Sequence, residues 1–203
     1  MLQTFPKQFT AFMGDRLLAS GPLAEVALAV MKVTSGVAAE PIVIFDDANG
    51  RPVDLDLRGT ERDVLARLPP PPTHLEASAD DPPEPRGRGR PKLGVVAREV
   101  TLLPRHWDWL GAQPGGASVA LRKLVEEARR ANGDRDRSRA AKEAAYHFMS
   151  TMAGDLPGFE EASRALFADD RRRFGDLIAG WPGDIRDHTI RLAFSDRDDP
   201  PRV

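Results

Sequence analysis

Apolar and polar positions change period several times along the chain, and each change marks an element. Phe9 to Met13 and Arg16 to Ala19 are apolar-rich runs on either side of Gly14-Asp15, a pair that favours a tight antiparallel hairpin. After Pro22, which suits a helix's first turn, Leu23, Val26, Ala27, Val30 and Met31 recur at helical spacing. Pro41 to Phe45 leads through the turn signal Asn49-Gly50 into Val53-Asp-Leu-Asp-Leu57. Alternation there predicts a strand with Val53, Leu55 and Leu57 on a buried face and Asp54 and Asp56 outside. A short helix over Glu61–Leu68 completes a unit of β-β-α-β-β order, residues 1–68.

From Pro69 the pattern disappears. Eight prolines lie between Pro69 and Lys92, with little to bury, so residues 69–94 read as a disordered, extended linker. Order resumes at 95. Ala97 to Leu103 reads as a strand, Pro104 starts a helix with Trp107 and Leu110 on one face, and Gln113-Pro-Gly-Gly-Ala117 breaks it. Ser118 then caps a helix striped by Leu121, Leu124, Val125 and Ala128. Residues 133–203 read as helical: Arg139 to Met152, then helices marked by Phe159 and Leu166, by Phe174 and Ile178, and by Ile185 and Phe194. Breaks fall at Leu156-Pro-Gly158, Ala168-Asp169 and Trp181-Pro-Gly183, and the tail from Ser195 is expected to fray. The expected fold class is α+β. Its four parts are the N-terminal unit (1–68), the linker (69–94), a strand-helix-helix segment (95–132) and a helical C-terminal region (133–203).

Composition narrows the class without naming a function. Across 203 residues, 41% hydrophobic and 30% charged describe an ordinary globular chain, and no apolar run approaches the ~20 residues of a membrane span. The absence of cysteine excludes disulfides and thiolate metal sites. The N-terminus lacks the basic start and apolar centre of a secretory signal, so a cytoplasmic location is expected. Net charge is −2, yet its distribution is uneven. Glu76 to Glu84 is acidic, whereas Arg86 to Arg105 holds six basic residues against the single acid Glu99.

The basic part begins Arg86-Gly87-Arg88-Gly89-Arg90-Pro91-Lys92. Narrow A·T minor grooves are strongly negative and favour inserted arginine, here Arg88 and Arg90. Gly89 lets the backbone approach the groove floor and Pro91 fixes an extended direction, while Arg86 and Lys92 can reach phosphates. Residues 88–92 resemble the core of the AT-hook, the minor-groove-binding segment of many chromatin proteins. A solvated basic linker balancing the acidic stretch is the other reading of the same residues.

The strand-helix-helix order of 95–132 resembles the ribbon-helix-helix DNA-binding fold, most clearly in Ser118-x-x-Leu121-Arg-x-Leu124-Val125-Glu-Glu-Ala128. One strand and two short helices bury too little to fold alone, which calls for a two-fold partner. The resemblance implies that Val100 and Leu102 pack inward with Trp107, Leu110, Leu121, Leu124 and Val125 in a dimer core. It also implies that Arg98, Glu99 and Thr101 face a major groove, and that the amides of Gly116, Ala117, Ser118 and Val119 hold a phosphate. Glu99 departs from the family's basic or neutral outward residues. It could accept from a cytosine N4, or the ribbon could serve dimerisation alone.

The whole chain also resembles an uncharacterised proteobacterial family with the same succession: α+β segment, basic arm, EVTLLPRHWDWL and helical tail. That resemblance carries no activity with it. Enzyme signatures are sparse. None of the four histidines, His74, His106, His147 and His188, sits in a recognisable catalytic or metal motif, although Asp184 and His188 could share a helix face. Asp46-Asp47 reads as a solvated turn, and Arg171 to Arg173 as a helix face balanced by Asp169, Asp170 and Asp176. No metal or cofactor is expected.

The leading expectation is a homodimeric, nucleoid-associated DNA-binding protein that prefers A·T-rich duplex, as a regulator or architectural factor. A second is an antitoxin-type module whose C-terminal helices bind a protein partner. A third is a small-molecule sensor or enzyme in the N-terminal unit.

Overall fold

The computed structural model describes residues 7–34, 40–69, 96 and 98–194. In chain order, β1 (Phe9–Met13), β2 (Arg16–Gly21), α1 (Leu23–Thr34), β3 (Ile42–Asp46), β4 (Arg51–Val53) and α2 (Glu61–Arg67) form the first run of elements. Helices α3 (Pro104–Gly111), α4 (Gly116–Met152), α5 (Phe159–Phe167), α6 (Arg171–Ile178) and α7 (Gly183–Phe194) follow. The class is α+β and mostly helical. Two compact units are present: one combines residues up to Leu68 with those from Asn132 onward, and the other spans Pro69–Ala131.

The first unit is built on a four-stranded antiparallel sheet in the order β2-β1-β3-β4. Gly14, at φ 58°, turns β1 into β2 with Met13 opposite Arg16, and a register shift interrupts the pair between Ala11 and Phe12. β3 runs into β4 through a turn held by Asp46, whose Oδ1 accepts the Ala48 amide at 3.0 Å. β4 is shorter than the alternation predicts. Its ladder stops at Val53, yet Val53, Leu55 and Leu57 remain half-buried while Asp54 and Asp56 are exposed. A period of two here reports burial against α1 rather than strand pairing.

β1 and β3 are apolar on both faces, which decides the architecture. Phe9, Ala11 and Ile44 pack with Val26 and Val30 of α1. Phe12 and Phe45, on the opposite face, join Phe148 and Met149 of α4, Leu166, Phe174, Ile178 and Trp181 in a second cluster. The sequence division into separate 1–68 and 133–203 parts therefore does not describe the core. One face of the sheet needs α1 and the other needs the C-terminal helices, because a strand buried on both sides must be covered twice. Gly50 marks the closest approach. It sits at φ +66°, and a side-chain carbon placed on it would overlap the Ala144 carbonyl oxygen, so only glycine lets this turn meet α4.

The predicted breaks at 156–158, 168–169 and 181–183 are present as the boundaries of α5, α6 and α7. Trp181 seals one of them by donating its indole N–H to the Pro157 carbonyl at 3.0 Å. Asp170 caps α6 by accepting the Arg173 amide.

Three expectations for 95–152 change. No strand forms over 98–103. α4 starts at Gly116, so Ser118 lies in its first turn and not at its cap. The helix then runs unbroken through Asn132-Gly133 to Met152, where two helices were expected. An interior glycine costs about 1 kcal/mol. Ion pairs one turn apart offset this at a few tenths of a kcal/mol each: Glu126 with Arg129 and Arg130, Asp134 with Arg137, and Arg139 with Asp136 and Glu143.

Candidate nucleic-acid interface and a buried polar chain

The arm residues Arg86, Arg88, Gly89, Arg90, Pro91 and Lys92 lie outside the described residues, as does most of the linker. The segment that follows them can be placed. Arg98, Glu99, Val100 and Thr101 are exposed and Leu102 is half-buried, without the inward–outward alternation expected of the ribbon. Among the described residues, 98–102 make no backbone hydrogen bond. Leu103 begins α3 by accepting from the His106 and Trp107 amides. A strand is a property of a ladder, and the described residues supply no second rung.

The residues assigned to a dimer core fare differently from one another. Leu110 is 3% exposed, Leu102 and Leu121 are half-buried, and Trp107, Leu124, Val125 and Val100 are 42%, 44%, 56% and 52% exposed. Four of the seven are thus exposed in the single chain. At the start of α4 the Gly116 amide is committed to the Gln113 carbonyl at 2.9 Å. Ala117 and Ser118 follow in the first turn of α4. Val119 is half-buried one position further on.

Within the first unit, polar side chains thread between the sheet and α7, a site the sequence did not disclose. The Ser20 and Thr10 hydroxyls are 3.1 Å apart, and Thr10 donates to Asp47 Oδ2 at 2.9 Å. Asp47 Oδ1 faces His188 Nε2 at 3.6 Å, and Arg191 contacts His188 Nδ1. Arginine can only donate, so Nδ1 accepts and the ring proton sits on Nε2, directed at Asp47. The imidazole also meets the rings of Phe12 and Phe148 at centroid separations of 5.4 and 4.5 Å.

Burial pushes His188 down to about 3, with the neighbouring Arg191 charge acting in the same direction. Burial pushes the Asp47 carboxyl up, against the lowering influence of the Thr10 hydrogen bond and Arg191, while Asp46 adds to the rise. Asp46 is itself buried and takes Lys7 Nζ at 2.8 Å. The reading of Asp46-Asp47 as a solvated turn is therefore corrected: the turn is pressed under α7. Asp184, four residues before His188 on α7, instead accepts the Leu17 amide at 2.8 Å. Arg171 covers the Phe194 ring at 4.4 Å.

Chemically this is a clamp. Thr10 and His188 are 0% and 2% exposed, and the Asp47 carboxylate between them ties β1 to α7. Among the described residues, no group of three His, Cys, Asp or Glu side chains is placed to hold a metal ion. An open groove beside α1 is lined by Val30, Ile42, Ile44 and Leu55, with Thr34, Glu40 and Asp54 as its polar members. No described helix is long and apolar enough to cross a membrane.

The fold defines an α+β protein in which several large apolar side chains between 98 and 125 are exposed. The chain belongs to a bacterial family described as "Uncharacterized protein conserved in bacteria (DUF2239)", matched over residues 8–193. No curated protein and no solved structure matches it.

Proposed function

We propose that the chain is a DNA-binding protein acting as a two-fold dimer, a regulator or an architectural factor. In this reading the arm 86–92 enters A·T-rich minor grooves, and the adjoining segment 98–125 brings two arms together. One observation carries it: the apolar positions at Val100, Trp107, Leu124 and Val125 stand exposed in the stretch of sequence that follows the basic arm. Monomeric soluble proteins do not usually leave such sets open, and pairing two weak arms raises the effective concentration of each. Base reading by Arg98, Glu99 and Thr101 is the less supported part, because Glu99 brings a carboxylate to the face meant for DNA.

The antitoxin-type reading requires C-terminal helices with apolar faces free for a partner. Those of α5, α6 and α7 are already engaged in the unit's own core, which argues against it. The sensor reading has the groove beside α1, but no convergent set of polar groups favours it.

Fluorescence anisotropy with A·T-rich and G·C-rich duplexes of equal length tests the proposal. The wild-type chain is expected to prefer A·T and to weaken steeply with salt. Arg88→Ala/Arg90→Ala is expected to abolish the preference, and an unchanged preference in that variant sinks the assignment of the arm.

A further inference from the structure

We draw no further inference here: the strongest candidate, the open apolar groove between the end of α1 and the stretch that continues β4, lined by Val30, Ile42, Ile44, Val53 and Leu55, carries nothing because nothing in the structure shows what covers it.

Discussion

His188 Nε2 lies 3.6 Å from Asp47 Oδ1, joining α7 to the turn between β3 and β4. Neither atom has a closer polar partner, so the pair is held by the packing of Phe12 and Phe148 around the ring. The folded chain keeps this imidazole neutral down to about 3, whereas in the unfolded chain it protonates near its ordinary 6.5. Between those values the unfolded state binds the extra proton. The contribution to stability is thus complete above about pH 6.5 and is lost progressively as pH falls toward 3. The raised Asp47 acts oppositely: its folded carboxyl holds a proton to higher pH, so its burial costs stability as pH rises above 3.8. Thermal unfolding from about pH 8 to about pH 4 should show a falling midpoint on the acid side, and His188→Gln should flatten that fall.

Thr10 holds the same clamp from the sheet. Thr10→Val keeps the shape but removes the donor to Asp47 and the contact with Ser20. An expected loss of about 1–3 kcal/mol follows from leaving the carboxylate oxygen without that partner. Chemical denaturation of the full chain, followed through Trp181, measures it.

Gly50→Ala should be more damaging than any surface change nearby. It combines a left-handed backbone at φ +66° with a side-chain carbon that would overlap the Ala144 carbonyl. We expect a loss of about 3 kcal/mol or more, or no folded protein. Gly14→Ala is the informative comparison, because there the neighbour is the end of the flexible Glu40 side chain. Its cost should be smaller.

Gly133→Ala should stabilise. The position is interior to α4 and an added side-chain carbon meets nothing nearer than Arg137 at 3.6 Å. The gain expected is up to about 1 kcal/mol, read from helical circular dichroism and the unfolding midpoint. A helix that ended at Asn132 would show no gain.

For the arm, Arg86→Ala and Lys92→Ala should weaken binding on all duplexes alike. Each should reduce the slope of log affinity against log salt by about 1. Measuring anisotropy at several salt concentrations separates this from the loss of A·T preference expected at Arg88 and Arg90.

What could be read in the sequence was what neighbouring residues decide together. The β-β-α-β-β order, the hairpin at Gly14-Asp15 and the breaks before α5, α6 and α7 all rest on local turn chemistry and periodicity. Features that depend on distant partners could not be read there. Nothing near Asp47 indicates that α7 will bring His188 to it, and Asp184, the nearer carboxylate in sequence, is drawn away by the Leu17 amide. Asn132-Gly133 has the composition of a break, yet flanking ion pairs carry the helix through it. At 98–103 the apolar pattern suits a strand, but no strand among the described residues pairs with it.

The bond from Leu17 to Asp184 has a consequence for how copies of this protein meet. β2 is the outer strand on its side of the sheet, and an outer strand with free amides can recruit strands from other molecules. By occupying the Leu17 amide, Asp184 blocks a hydrogen bond that an incoming strand would need. Strand-to-strand association is thereby discouraged at this edge of the sheet. Converting Asp184 to alanine would therefore be expected to open a route to aggregation.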